Sequence, residues 1–197
     1  MPKVGMEPVR REAMIRATIQ AIGEAGSLDV TVSQIAKRAG MSSALAHHYF
    51  GSKDQIFLAA MRHILKGFAS SVALRLRNLD TPEARIRAII AASFSEGQFD
   101  KEVVAAWLTF YIRAMQSEDV ARLLLVYARR LKSNLQYDLK KLFPDHEAEQ
   151  VAQGLASMID GFYIRHALQE VAPDRDATQA LVCDYLDLWL ERKTHRG

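Results

Sequence analysis

Positions 43 to 53 hold a run of side chains suited to nucleic-acid chemistry: Ser43, His47, His48, Tyr49 and Lys53. Serine and histidine carry donors and acceptors that match base edges. A tyrosine hydroxyl and a lysine ammonium donate to phosphate oxygens. These groups are useful only on a short helix that fits the major groove with its N-terminal residues at the bases. The surrounding sequence writes such a helix. Thr31, with Gln34 three residues on, forms a capping box that opens a helix with Ile35, Ala36 and Ala39 as its apolar stripe. Gly40 stands where a left-handed residue ends a helix. Ser42 caps a second helix, about residues 43–50, with Leu45, Ala46 and Phe50 turned inward. Ser52 and Gln55 form another capping box, opening a third helix at Lys53, whose first-turn N–H groups attract phosphate. Helix, tight glycine turn, helix is the helix-turn-helix pattern. A plain helical hairpin with polar surface residues has the same outline, so the shape alone does not commit to DNA.

The charge distribution agrees with a phosphate-facing end. Residues 1–53 hold seven Lys/Arg and four acids, an excess of three that accounts for the whole net charge of +3; the remaining residues hold nineteen of each sign. Cys183 is the only cysteine, which excludes an intrachain disulfide and a C-x-x-C metal site. No apolar run approaches the roughly 18 residues of a membrane span, and the N-terminus has no signal-peptide core. We expect no membrane partner and a cytoplasmic protein. No G-x-S-x-G, P-loop, H-E-x-x-H or glycine-rich dinucleotide turn is present, so an enzyme is not expected. His47 and His48 are adjacent and point to different helix faces, and His63, His146, His166 and His195 are scattered; no metal site is expected.

The rest of the chain must position that helix. Residues 1–8 read as an arm with Pro2, Gly5 and Pro8, in which Lys3 could reach along a DNA backbone. A bracing helix covers about 9–25, with Ile15, Ile19 and Ile22 inward and Gly26 at its end. The helix from Lys53 is long, with Phe57, Ala60, Ile64, Phe68, Val72, Leu76 and Leu79 at three- and four-residue steps. Thr81 and Pro82 open the next, to about 95. Further helices are expected at about 101–115, from a Ser117 cap to a stop at Pro144 with Leu124, Leu131, Leu135, Leu139 and Leu142 on one face, at about 145–170, and at about 175–192 after Pro173. The fold class is all-α, about nine helices. Residues 1–53 form a three-helix DNA-binding domain, with the helix-turn-helix at about 31–50. Residues 54–197 form a second, helical domain.

The stretch TVSQIAKRAGMSSALAHHYFGSKDQIF, residues 31–57, resembles the DNA-binding signature of the TetR family of bacterial repressors, through Thr31, Ile35, Ala36, Ala39, Gly40, Ser42, Tyr49, Phe50 and Lys53. Ala44 stands where the family usually has Gly, and His47 where it often has Tyr, which opens His47 to a base rather than a phosphate. MPKVGM at the start, Arg10-Arg11, HHYF at 47–50, AAWLTFY at 105–111, RRLKSNL at 129–135 and MIDGFYIRHAL at 158–168 resemble the BetI branch, the choline-responsive repressors of glycine betaine synthesis. The resemblance implies a sequence-specific repressor that binds double-stranded operator DNA through Thr31, Ser33, Ser42, Ser43, Ala44, His47, His48, Tyr49 and Lys53, and sits with the nucleoid when bound. It implies no cofactor but a small-molecule effector, choline, whose binding levers the long helix from Lys53. A repressor of the same family answering another cationic or hydrophobic effector, such as a drug-efflux regulator, is the alternative.

Two further groups gain meaning from the resemblance. Trp107, Phe110 and Tyr111 share one helix face, and Phe162 and Tyr163 follow Asp160 on the penultimate helix. A quaternary ammonium donates no hydrogen bonds and is held by aromatic faces with a nearby negative charge. These five rings with Asp160 could form such a cage, although aromatics at helical spacing also serve as core. The last two helices carry much apolar surface. In the family, two such helices pair with those of a second copy in a four-helix bundle. This implies a homodimer through Leu155, Ile159, Phe162, Tyr185, Leu188 and Trp189; internal core is the competing role.

Overall fold

The computed structural model describes residues 5–168 and 174–194. Among them the chain forms helices α1 (Met6–Ala25), α2 (Val32–Arg38), α3 (Ser43–Phe50), α4 (Lys53–Arg75), α5 (Pro82–Ser93), α6 (Lys101–Ala114), α7 (Glu118–Leu139), α8 (Asp145–Ala167) and α9 (Arg175–Thr194), with no strand. The expected backbone arm carrying Lys3, the reach of α8 to 170, Pro173 and His195 lie outside the described residues.

Local chemistry sets most boundaries. Thr31 Oγ1 accepts the Gln34 N–H at 3.1 Å while Gln34 Oε1 accepts the Thr31 N–H at 2.7 Å, a complete capping box. Gly40 has φ 68°, a left-handed conformation that costs a side chain strain, and it turns the chain between α2 and α3. Ser42 Oγ accepts from Leu45 N–H and Thr81 Oγ1 from Ala84 N–H. Ser52 Oγ accepts from Gln55 N–H, one half of the expected box.

Four expectations need correction. α1 starts at Met6, because Pro8 lies within the first turn, where its missing N–H costs nothing. Ser117 holds the N-cap position of α7 without a side-chain cap bond. α7 ends at Leu139 rather than at Pro144; the turn is closed by Phe143 N–H donating to Leu139 O at 2.8 Å. α4 ends at Arg75, capped by Leu76, so Leu79 lies beyond it, after Asn78 with φ 61°.

One continuous core runs through the molecule, from Met14, Ile22 and Ile35 to Ile86, Phe110, Leu135 and Leu155. α4 is long and apolar enough to cross a bilayer, with mean hydropathy 1.2 over its best stretch. Its apolar side is instead spent on this core through Ile56, Phe57, Ala60, Met61, Ile64, Phe68 and Val72. α6 is the central support. It packs along α1 on one side and against α7 and α8 on the other. α1 and α6 approach tightly at Gly23, where a Cβ would stand 2.6 Å from Glu102 Cα. α8 and α9 meet at Gly154, where a Cβ would stand 2.1 Å from the Tyr185 hydroxyl.

Candidate DNA-binding surface and ligand chamber

The helix-turn-helix presents its polar residues outward. Thr31, Ser33, Ser42, Ala44, His47 and His48 are exposed; Ser43, Tyr49 and Lys53 are half-buried. Ala46 and Phe50 anchor α3 in the core. His47 Nδ1 lies 2.8 Å from the carbonyl of Gly51. A carbonyl can only accept, so Nδ1 carries the proton and Nε2 is left to face a partner. Lys53 lies over the Phe57 ring at 5.3 Å, which holds its stem while leaving the ammonium free to meet a phosphate.

Two residues of α1 complete this surface. The Arg11 guanidinium sits over the Phe50 ring at 4.5 Å and donates to the Tyr49 carbonyl. It thereby satisfies a carbonyl in the last turn of α3, where a positive charge is favoured. Arg10 Nη1 donates to the Tyr49 hydroxyl at 3.4 Å. The recognition helix is therefore braced from behind by α1. No spacing rule pairs positions 10 and 11 with 49 and 50; only the tertiary fold does.

A second site lies between α6, α7 and α8. The rings of Trp107 and Tyr111 stand 5.9 Å apart, and Trp107 meets Tyr163 edge-on at 6.4 Å. The Tyr111 hydroxyl donates to Asp160 Oδ1 at 3.0 Å. Tyr163 donates to the Ser93 carbonyl, which fixes its ring. The structure thus gathers Trp107, Tyr111, Tyr163 and Asp160, and it adds Tyr127, 4.8 Å from Trp107. Tyr127 stands three residues after Leu124 and four before Leu131, on the inward stripe of α7, and that spacing was the available signal.

Phe110 and Phe162 leave the expected cage. Phe110 is buried on another side of α6 and borders a cleft with Phe57 and Leu58 of α4. Phe162 turns to Phe94, at 6.2 Å, and to the α9 side with Leu181. Three and four residues of spacing put Trp107, Phe110 and Tyr111 on a broad face, and two neighbours divide that face.

Electrostatics single out Asp160. Burial raises its carboxyl above the ordinary range, and the hydrogen bond from Tyr111 partly offsets this. Among the described residues it has no basic partner. Burial and the Asp160 charge in turn push the Tyr111, Tyr127 and Tyr163 hydroxyls upward, so all three stay neutral. Asp160 also borders a cavity of about 180 Å³ between α7 and α8, whose walls include Arg129 and Lys132 and none of the four rings.

The expected pairing surface is corrected in part. Leu155 and Ile159 have no exposed surface within one chain and belong to its own core. Tyr185 packs on Gly154 of the same chain, and Trp189 is half-buried beside Phe143. Phe162 is half-buried and Leu188 exposed. Ile164 on α8, Leu168 at its C-cap, and Leu181 and Leu188 on α9 each keep at least 42% of their surface.

Comparison with known proteins follows this geometry closely. Residues 14–60 match the model of bacterial regulatory proteins of the tetR family, and residues 82–191 match that of the BetI-type transcriptional repressor, C-terminal. The chain belongs to the TetR family, with a BetI-type repressor C-terminal domain. It is 54% identical over 190 residues to the HTH-type transcriptional regulator BetI of Brucella abortus, covering 96% of each chain. It is 49% identical to that of Rhizobium meliloti, covering 96% of this chain and 94% of the relative. These relatives are regulators of transcription, not enzymes. The same fold recurs in a TetR transcription regulator from Haloarcula marismortui, with TM-score 0.81 and 23% identity over 92% of this chain and 98% of that one. It recurs in a regulator from Saccharomonospora viridis solved in complex with choline, with TM-score 0.80 and 19% identity over 90% of this chain and 95% of that one. The regulator is thus a TetR-type DNA-binding repressor; its operator contacts and its effector are matters for its own side chains.

Proposed function

We propose that the regulator is a homodimeric repressor of choline-to-glycine-betaine synthesis genes, released from its operator by choline held in the chamber around Asp160. Residues 1–53 serve as the DNA-binding unit and 54–197 as the effector and dimerisation unit. The observation that carries the effector reading is Asp160, a half-buried carboxylate with no basic partner among the described residues, whose one hydrogen bond comes from Tyr111. A carboxylate partly withdrawn from water without a counter-charge is destabilised, as its raised pKa reflects. A quaternary ammonium beside it supplies the missing charge, and Trp107, Tyr111, Tyr127 and Tyr163 supply faces worth about 0.5–2 kcal/mol each in cation–π contact. The likeness of fold to the Saccharomonospora viridis regulator solved in complex with choline supports this reading.

Thr31, Ser33, Ser42, Ala44, Tyr49 and Lys53 position the backbone of the operator, while Ser43, His47 and His48 face base edges. Two copies pair through the exposed apolar residues of α8 and α9, with Phe162, Leu188 and Trp189 contributing, which sets the half-site spacing. Choline releases DNA only by preferring the conformation that DNA does not. α6 carries Trp107 and Tyr111 and packs on α1, so a ligand that shifts α6 reaches the recognition helix as well as the lever of α4. Acting on DNA places the protein with the nucleoid in the cytoplasm.

The test is choline titration of the protein–operator complex. Asp160→Asn and Trp107→Ala should each abolish release by choline while operator affinity stays intact. A normal choline response in both variants would remove the chamber from the account.

A further inference from the structure

A second cavity, of about 510 Å³, lies where the DNA-binding helices meet the C-terminal helices. Its walls come from α1 (Arg16, Ile19, Gln20, Glu24), α2 (Arg38), α4 (His63, Ile64, Gly67), the turn at Gly97 to Asp100, and α6 (Glu102, Val103). It shares no residue with the chamber around Trp107. The volume lies in the range of ligand pockets, about 300–1,000 Å³.

Two features of the lining point to an occupant. Gln98 is only 9% exposed, lines the cavity, and its carboxamide has no hydrogen-bond partner among the described residues. Its Nε2 lies over α4 at Gly67, where a Cβ would come within 3.0 Å. Its amide atoms meet solvent rather than protein, so the carbonyl and the N–H bonds stay available to an occupant of the cavity. The second feature is the charge. Arg16 is paired with Glu12 at 3.0 Å, and Arg38 is paired with Glu24. His63 also faces Glu12, at 3.6 Å. Asp100 and Glu102 have no ion-pair partner among the described residues. The uncommitted charge of the lining is therefore negative.

We propose that this junction cavity is a second ligand site, for a small organic amine of the diamine class. The lining holds no Phe, Tyr or Trp, so it offers a quaternary ammonium none of the faces that bind one. It offers acceptors instead: the carboxylates of Asp100 and Glu102 and the Gln98 carbonyl. Those suit an ammonium that keeps its N–H bonds. Ile19, Ile64 and Val103 provide apolar wall for a short hydrocarbon chain. Because the walls belong to both units, the occupant bridges α1 to α6. The proposal is independent of the choline reading.

The test is calorimetric titration of the full-length protein, without DNA, with 1,4-diaminobutane and separately with choline. Saturable binding of one diamine per protomer is expected, and saturating choline should not displace it. Asp100→Asn combined with Glu102→Gln should weaken the diamine about tenfold and leave choline binding unchanged. Gln98→Met, which keeps the volume and removes the amide, should also weaken it without lowering the melting temperature, so that loss of binding is separated from loss of fold. No saturable binding, equal affinity in the carboxylate variant, or displacement by choline would overturn the proposal.

Discussion

Replacing Gly23 by alanine would drive a methyl carbon into the backbone of α6. The new Cβ would stand 2.6 Å from Glu102 Cα, 2.7 Å from its carbonyl oxygen and 2.8 Å from its Cβ. Ordinary contact begins near 3.4 Å, so the helices must part by roughly 0.8 Å, since no rotamer change moves a backbone. Overpacking of this kind costs about 1–3 kcal/mol, and a clash with main chain belongs at the upper end. Alanine in a helix interior recovers about 1 kcal/mol relative to glycine. The net loss is roughly 2 kcal/mol, a fall in melting midpoint on the order of 4–8 °C for a chain of this size. α1 also carries Arg10 and Arg11, which hold the last turn of α3. Its displacement should lower operator affinity while choline binding, centred on the far side of α6, persists. Thermal melting at fixed protein concentration and operator titration read both effects. A melting midpoint that rises would mean that helix propensity dominates, and would refute the close approach on which the α1–α6 coupling rests.

Three other outcomes follow from the same geometry. Lys53→Ala should weaken binding to all DNA sequences and reduce the slope of log affinity against log salt by about one, whereas His48→Ala should change preference at one position of each half-site; equal weakening by both would remove the base-reading role from His48. Arg11→Met should lower operator affinity with the salt slope unchanged, because Arg11 braces the Tyr49 carbonyl and the Phe50 ring rather than meeting phosphate; a slope reduced as in Lys53→Ala would contradict that. Asp160 has its pKa raised by burial, so in the folded chain it takes up its proton at a higher pH than an ordinary carboxylate. Its contribution to stability is present at low pH and is lost as the pH rises through the folded value. Choline, which needs the ionised form, should therefore bind more weakly as the pH falls through that value, and Asp160→Asn should flatten the profile; an acid-insensitive affinity in the unsubstituted protein would argue against Asp160 as the counter-charge.

The parts of the molecule that depend on short-range chemistry were legible in the sequence. Caps at Thr31, Ser42, Ser52 and Thr81, the left-handed Gly40 and the helical stripe of α4 are local patterns, and the chain obeys them. What escaped depends on which neighbour covers a helix face. Phe110 and Tyr111 are adjacent in sequence, yet one faces α4 and the other Asp160, because α6 is wedged between α1, α7 and α8. Leu155 and Ile159 read as spare apolar surface but are covered by their own chain. The bracing of α3 by Arg11 is a long-range contact that no periodicity encodes, while helical spacing marks Tyr127 as inward-facing without telling that it meets Trp107. Gly23 and Gly154 look like weak points in helices until the partner helix is seen resting on them.

The most direct measurement is binding of the purified protein to the DNA flanking its own gene, at fixed salt, with and without millimolar choline. The account predicts a specific complex that choline loosens in the unsubstituted protein and does not loosen in Asp160→Asn. A specific complex equally stable with and without choline would contradict the effector assignment, and its absence would contradict the DNA-binding surface itself.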